Sequence, residues 1–137
     1  MSAIPTMLLD SNVLLRFITK DTPEKAERAK ALLKRGEIDE LRLILHPMVV
    51  AEVVYILRAH YKFTHEQLET VLLQLIGSGA FETLERSPVE RALMMVTKHN
   101  IDFEDAYFDV LADGQGWLVA SFDQTARDRL GVRWIEP

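Results

Sequence analysis

Short apolar runs alternate with longer segments of helical periodicity along the whole chain, a pattern typical of α/β proteins. The apolar runs predict five strands, at Met7–Leu9, Leu43–Leu45, Phe81–Leu84, Trp117–Ala120 and Val132–Ile135. Seven helices are predicted between them, over 11–18, 22–36, 48–60, 64–77, 87–100, 102–112 and 123–130. Strands joined through helices form a mostly parallel sheet covered on both faces, so the predicted fold is an α/β/α sandwich.

Capping residues and helix breakers predict where several of these helices begin and end. Pro23 suits the first position of the second helix, which Gly36 is expected to end. Thr64–Gln67 and Ser87–Glu90 both have the spacing of a capping box, in which the first and last side chains each bond the other residue's backbone. Gly77–Gly79 is too short a linker to separate two domains.

The composition is that of a single folded domain. At 137 residues and 48% hydrophobic side chains, one core over residues 1–137 is expected. The chain has no cysteine, which excludes disulfides, thiolate metal sites and cysteine nucleophiles and suits a reducing cytoplasm. No signal peptide is expected, because no basic residue precedes Arg16 and Asp10 interrupts the apolar N-terminal stretch. No apolar run approaches membrane-spanning length, so a cytoplasmic location is expected.

Two acids stand where strands of the predicted sheet end. Asp10 follows the first strand directly, and Asp123 comes shortly after the fourth. Sites in parallel sheets gather at the carboxyl ends of strands. For Asp10 a site role is favoured, because Ser11 and Asn12 are available to cap the next helix. For Asp123 a helix cap and a site role stay equally open.

Glu52 is the only charged side chain between Met48 and Leu57, on a helix that is otherwise apolar on nearly every side. Such a helix is expected to be buried. A buried carboxylate is costly unless it is paired, binds a metal or takes up a proton. A metal-binding role for Glu52 is favoured, and the alternative is a narrow solvent-facing edge or an arginine partner.

An acidic stripe is predicted along one helix. It consists of four aspartates at offsets of three, seven and eleven, which places them on one helical face: Asp102, Asp105, Asp109 and Asp113. Acidic stripes are usually solvated. Asp105 is the favoured functional member because it borders the apolar face, Asp109 is a weaker candidate, and Asp113 is expected to be exposed.

The acids at these separate points predict one carboxylate cluster, formed by Asp10, Glu52, Asp105 and Asp123. Carboxylate oxygens suit Mg²⁺ or Mn²⁺, and without a cation such a cluster would repel itself and partly protonate. Its natural chemistry is phosphoryl displacement, in which a metal ion makes hydroxide from bound water.

The net charge of −5 bears on this hypothesis, because nucleic-acid binding normally calls for a basic surface. Four of the negative charges belong to the predicted cluster, so the rest of the chain is close to neutral. Bound cations would reverse the sign where a phosphate must sit. The composition argues against a broad basic surface for binding nucleic acid, but not against a contact in which a metal ion bridges the protein and a phosphate.

Four segments, in order and covering nearly the whole chain, resemble the PIN-domain family and specifically its VapC-type toxins of type II toxin–antitoxin systems: Leu8–Leu15, Val50–Val53, Asp102–Ala106 and Ser121–Asp123. The resemblance implies an α/β/α sandwich and a Mg²⁺- or Mn²⁺-dependent endoribonuclease with the four acids as its metal-binding, catalytic quartet. It also implies that Asn12 and Ser121 support the site by hydrogen bonding. A homodimer and a cognate antitoxin that covers the site are implied as well.

Some positions depart from the family or stay ambiguous. His46 stands where a hydroxyl residue is common, and it is expected to be a hydrogen-bonding surface residue rather than a phosphate contact. Ser121 replaces the usual threonine and keeps its hydroxyl. Leu68, Leu72 and Phe63 look exposed and could form a partner surface, a dimer contact or core.

Two other functions stay open. A haloacid-dehalogenase-like phosphatase also has an acid after its first strand, but it needs a second aspartate two positions later, where this chain has Asn12. A non-catalytic PIN-fold binding module would keep the fold without cutting RNA.

Overall fold

The structure is a computed structural model and describes residues 4–137. This part of the chain forms two units, the first ending at Glu85 and the second running from Arg86 to Pro137. Both units combine parallel strands with helices, which confirms the predicted α/β fold class. Within the described residues, no helix has both the length and the apolarity needed to cross a membrane.

The first unit contains a three-stranded parallel sheet with strand order β1-β2-β3. Its elements are β1 (Thr6–Leu8), α1 (Ser11–Thr19), α2 (Pro23–Glu37), β2 (Arg42–Leu45), α3 (Pro47–Ala59), α4 (His65–Gly77) and β3 (Glu82–Thr83). Met7 pairs with Leu43, and Ile44 pairs with Glu82. The strands therefore end at one edge of the sheet.

The core of the first unit is built on the central strand β2, in which Leu43, Ile44 and Leu45 are all buried. The helices add apolar stripes with helical spacing, and their buried members include Leu14, Leu15, Ala26, Ala29, Leu33, Val50, Val53, Val54, Leu57, Leu68, Leu72 and Ile76. Leu68 and Leu72 are thus core residues and not a partner surface. Phe63 is only half-buried.

The capping box that starts α4 is confirmed. The Gln67 N–H donates to Thr64 Oγ1 over 3.1 Å, and the Thr64 N–H donates to Gln67 Oε1 over 2.8 Å. The predicted box at Ser87 is wrong, because the next helix, α5 (Arg86–His99), begins before it. Arg86 Nε lies 3.3 Å from Glu90 Oε1, and this i,i+4 ion pair stabilises the earlier start and occupies the glutamate that the box would use.

The second unit packs α5 against α6 (Phe103–Gln115) and adds a two-stranded parallel sheet of β4 (Val119–Ala120) and β5 (Trp134–Ile135). Helix α7 (Gln124–Leu130) connects the two strands. The buried apolar side chains of α5 and α6 form the core of this unit: Val89, Ala92, Leu93, Val96, Phe103, Ala106, Val110 and Ala112.

Helix α6 extends beyond its predicted end at Ala112. Gly116 ends it in the left-handed conformation, with φ +71° and its N–H donating to the Ala112 carbonyl. Glycine is the residue that adopts this conformation without steric penalty. The signal that ends the helix is therefore Gly116, one turn later than predicted.

Gly36 lies inside α2 and does not end it, so the predicted boundary is wrong by one residue. Packing explains the glycine. A Cβ at this position would lie 2.1 Å from the Ala80 carbonyl oxygen and 3.0 Å from Leu43 Cδ1. The chain needs a glycine here because α2 approaches the segment before β3 too closely for any side chain.

Replacing Gly36 with alanine should therefore destabilise the fold by about 2 kcal/mol, because overpacking against backbone outweighs the gain in helix propensity. Gly77→Ala is the matched control, since a Cβ there meets nothing within 4 Å, and it should be neutral or stabilising. Urea unfolding of both variants measures the difference. Equal stability of the Gly36→Ala and Gly77→Ala variants would contradict the close approach of α2 to Ala80.

Candidate active site

Asp10 lies directly after β1 and caps α1. Its Oδ1 accepts a hydrogen bond from the Ser11 N–H over 2.9 Å, and its Oδ2 accepts one from Asn12 Nδ2 over 3.2 Å. The expectation that Ser11 or Asn12 caps this helix is wrong, because Ser11 is the first helical residue and is buried. Capping does not consume the carboxylate: Asp10 is exposed, and its two oxygens have lone pairs beyond these bonds.

Glu52 is exposed, so the prediction of a buried carboxylate is wrong. Helix α3 buries only the stripe Val50, Val53, Val54 and Leu57, and the residues on the other faces reach solvent although many are apolar. Met48 is 73% exposed and Tyr55 is 65% exposed on the same side as Glu52. The alternative of a solvent-facing edge is the correct one, and burial gives no reason for a metal at Glu52.

His46 follows β2 and is the N-cap of α3. Its Nδ1 accepts a hydrogen bond from the Met48 N–H over 3.0 Å, and the side chain is exposed. His46 is therefore a hydrogen-bonding surface residue, as expected.

Asp105 lies in the first turn of α6 and is half-buried. Burial raises the pKa of Asp105 to about 6, and the negative charges of nearby carboxylates add to the effect. Those carboxylates belong to Asp123, Asp102 and Glu104. Asp102 occupies the N-cap position of α6, as predicted, although its side chain makes no capping bond. The negative charge of Asp123 therefore acts on Asp105 and disfavours its ionised form.

Asp123 caps α7 while staying exposed. Its Oδ1 accepts a hydrogen bond from the Ala126 N–H over 3.0 Å, and its own N–H donates to Ser121 Oγ over 3.0 Å. In the part of the chain that the structure describes, Asp123 Oδ2 accepts no hydrogen bond. The helix-cap interpretation is correct, and one carboxylate oxygen stays available for a ligand.

Arg127 supports the same loop, a role that its sequence neighbourhood does not indicate. Its Nη1 donates to the Ser121 carbonyl over 2.9 Å, and its side chain is only 18% exposed. The one local signal is its spacing, one helical turn after Asp123. The acceptor is a backbone carbonyl, however, and no sequence pattern marks that.

The other two members of the acidic stripe have partners of their own. Asp109 is buried at 7% exposure, and its Oδ1 accepts hydrogen bonds from Arg133 Nη1 over 3.1 Å and from Trp134 Nε1 over 2.9 Å. Asp113 is exposed, as expected, and forms ion pairs with Arg91 and Arg133. Asp109 is therefore tied to β5 and is not a free ligand.

The predicted site residues are thus distributed over both units. The first unit carries Asp10, Asn12 and Glu52, and the second carries Asp105, Ser121 and Asp123. Among residues 4–137, no three or more acidic or histidine side chains are drawn together tightly enough to form a metal-binding group. The donor chemistry nevertheless fits a hard cation, because the side chains are carboxylates and a cation would relieve the repulsion at Asp105.

Known proteins resemble the chain over most of its length. A family model of the PIN domain matches residues 7–129, a stretch that includes all four predicted site acids. The VapC ribonuclease of Aquifex aeolicus (strain VF5) is 26% identical over 131 residues, which cover 95% of this chain and 96% of that protein. Because the family model covers far more than half of the sequence, the chain belongs to the PIN-domain family.

Proposed function

We propose that this protein is a metal-dependent endoribonuclease, the toxin of a toxin–antitoxin pair, with residues 1–137 acting as one nuclease domain in the cytoplasm. The observation that carries the proposal is the end-to-end similarity to a VapC ribonuclease, at 26% identity and 95% coverage of this chain. A match over nearly the full length of both chains favours a shared activity over a shared substructure.

The proposed ligands of the cation, Mg²⁺ or Mn²⁺, are Asp10, Glu52, Asp105 and Asp123. Their support is chemical and positional: all four are carboxylates within the PIN-domain match, and Asp10 and Asp123 follow the ends of parallel strands. The exposure of Asp10, Glu52 and Asp123 suits groups that must meet a large substrate.

Asn12 and Ser121 are proposed to orient the ligands and not to bind the cation. Asn12 donates its side-chain N–H to Asp10 Oδ2, and the Ser121 hydroxyl accepts the Asp123 N–H. The first contact restricts rotation of the Asp10 side chain, and the second restricts the backbone at Asp123. Supporting groups of this kind tune metal affinity without touching the ion.

Hydrolysis of an RNA phosphodiester forms a bond between a water oxygen and phosphorus and breaks the bond to a ribose oxygen, which takes up a proton. A bound divalent cation supplies acidification of that water and charge neutralisation at the phosphate. The contribution of this chain is to hold the carboxylates ionised and oriented. Asp105 has a raised pKa, so it must lose its proton before it can bind the cation.

The alternatives have less support. A haloacid-dehalogenase-like phosphatase needs an acid two residues after Asp10, and Asn12 at that position is an amide bonded to Asp10 itself. A non-catalytic binding module has no need of repelling carboxylates, which cost stability unless a cation joins them.

RNA cleavage should require Mg²⁺ or Mn²⁺ and should fall roughly 100-fold or more when a proposed ligand loses its charge. The variants are Asp10→Asn, Glu52→Gln, Asp105→Asn and Asp123→Asn. Asparagine caps helices as well as aspartate does, so a loss in the capping variants is not a folding defect. Asp128→Asn, an exposed acid on α7, is the control and should cut normally. A fluorescent single-stranded RNA gives the rate, and undiminished cleavage in EDTA would refute metal dependence.

Asp105 should make stability depend on pH when no metal is present. Its folded-state pKa of about 6 exceeds the unfolded value of about 4, so protonated Asp105 stabilises the fold below pH 4. This contribution is lost as pH rises through about 6. At pH 7.5 Asp105→Asn should therefore be the more stable protein, by about 1 kcal/mol or 3 °C after allowance for solvent screening.

Calorimetric melting of wild type and Asp105→Asn at pH 4 and pH 7.5 checks this. The gain should vanish at pH 4, where both side chains are neutral. Adding Mg²⁺ at pH 7.5 should raise the melting temperature of the wild type only. A variant that melts several degrees lower at both pH values would identify Asp105 as a structural residue instead.

We further propose a homodimer and a small antitoxin protein that blocks the site. Each unit exposes large apolar side chains that such partners would cover, among them Met48 and Tyr55 in the first and Trp117 and Phe122 in the second. A short open reading frame should adjoin the gene, and its product should co-purify with the chain and suppress cleavage. Light scattering should give twice the chain mass for the toxin alone. A gene with no such neighbour would indicate a solitary nuclease.

A further inference from the structure

Asp109 is a buried acid that the proposed chemistry does not use. It is 7% exposed, and one oxygen, Oδ1, accepts both the Arg133 guanidinium N–H and the Trp134 indole N–H. A carboxylate in the interior is costly unless it is paired and hydrogen-bonded, and Asp109 meets both conditions. An alanine or leucine would fill this position of α6 at no electrostatic cost, so the charge calls for an explanation.

The partners of Asp109 lie at the start of the last strand. Arg133 immediately precedes β5, and Trp134 is its first residue and is itself buried. Arg133 also donates to Asp113 over 2.8 Å, one turn further along α6. Two consecutive turns of α6 are therefore bonded to one end of β5.

Strand β5 in turn holds β4 and the loop that follows it. The Val119 N–H donates to the Arg133 carbonyl over 2.8 Å, and the Ser121 N–H donates to the Ile135 carbonyl over 2.9 Å. Ser121 accepts the Asp123 N–H, so the backbone of Asp123 is tied to the same strand pair. A continuous path of hydrogen bonds runs from Asp109 through β5 and β4 to Asp123.

Asp105 lies beside the Asp109 end of this path, because it precedes Asp109 by one turn of the same rigid helix, roughly 5 to 6 Å along the axis. The contacts of Asp109 therefore determine where α6 sits relative to β5, and with it where Asp105 sits relative to Asp123. Two carboxylates that repel one another drift apart unless the elements carrying them are fixed.

We infer that Asp109 is a positioning residue, which with Arg133 and Trp134 braces α6 against β5 and so sets the separation of Asp105 and Asp123. The effect of this brace on metal binding rests on the proposed function, because Asp105 and Asp123 are metal ligands only under that proposal. Its structural consequence, protection of the β4–β5 pairing, does not.

Two variants remove the brace in different ways. Asp109→Asn keeps the size of the side chain but removes the charge that holds Arg133, and Trp134→Phe keeps an aromatic ring but removes the N–H donor. Asp128→Asn is the charge control, because it alters the net charge equally at an exposed position on α7 and removes no bond to Arg133. Val89→Ala is the stability control, since it removes buried apolar volume from α5 and leaves the charges and the N–H donors of the brace unchanged.

The first measurement is amide hydrogen exchange of the metal-free proteins, read at Val119 and Ser121. Both brace variants should exchange these amides about tenfold faster or more, relative to α5 amides in the same sample. Val89→Ala and Asp128→Asn should not change that ratio. Equal ratios in all four variants would overturn the inference, whatever the metal results.

The second measurement is Mn²⁺ titration of the folded proteins by calorimetry. The dissociation constant should rise about tenfold in Asp109→Asn and Trp134→Phe and stay within about twofold of wild type in both controls. If the wild type binds Mn²⁺ tightly and the brace variants bind it with the same affinity, the positioning role is overturned. A wild type that binds no Mn²⁺ would refute the proposed function alone, and the exchange ratio would still decide whether the brace exists.

Discussion

An acid at the junction of a strand and a helix is the feature on which the candidate site depends. A helix that begins directly after a strand leaves backbone N–H groups without partners, and a carboxylate there accepts one of them. Asp10 does this for α1 and Asp123 does it for α7. The bond holds each charge at the end of its strand and leaves oxygen lone pairs toward solvent. Capping and ligand binding are therefore compatible roles of one side chain, although the sequence analysis treated them as alternatives.

Holding acids in place has an electrostatic cost, which is visible at Asp105. Its raised pKa records both burial and the repulsion of Asp123. A flexible protein would relieve that repulsion by moving the carboxylates apart, and a preorganised site has to prevent the movement. In the second unit this movement is opposed by hydrogen bonds beside the acids. Arg127 donates to the Ser121 carbonyl, and Asp109 accepts from Arg133 at the start of β5.

The order and type of the elements could be predicted from the sequence because they depend on local properties. Apolar runs marked the strands, and the capping box at Thr64 marked the start of α4. The failures occurred where a local signal competed with another interaction. At Ser87 a capping box lost to the Arg86–Glu90 ion pair, and at Gly36 a residue that usually ends helices serves a close approach to Ala80. The first outcome depends on which of two neighbouring interactions is stronger, and the second depends on a segment more than forty residues away.

The two acids that lie among apolar neighbours show most clearly what a sequence pattern leaves open. Glu52 has the more apolar surroundings along the chain and is exposed, whereas Asp109, a member of a stripe that looked solvated, is buried. The difference lies in helical phase and in partners. Glu52 lies outside the stripe that α3 buries. Asp109 lies where α6 contacts β5, and it accepts hydrogen bonds from two N–H donors that are more than twenty residues away in the sequence. Apolar neighbours in sequence therefore do not imply a buried charge. A charge is buried where the fold brings it donors, and Arg133 and Trp134 are residues that no local pattern connects to Asp109.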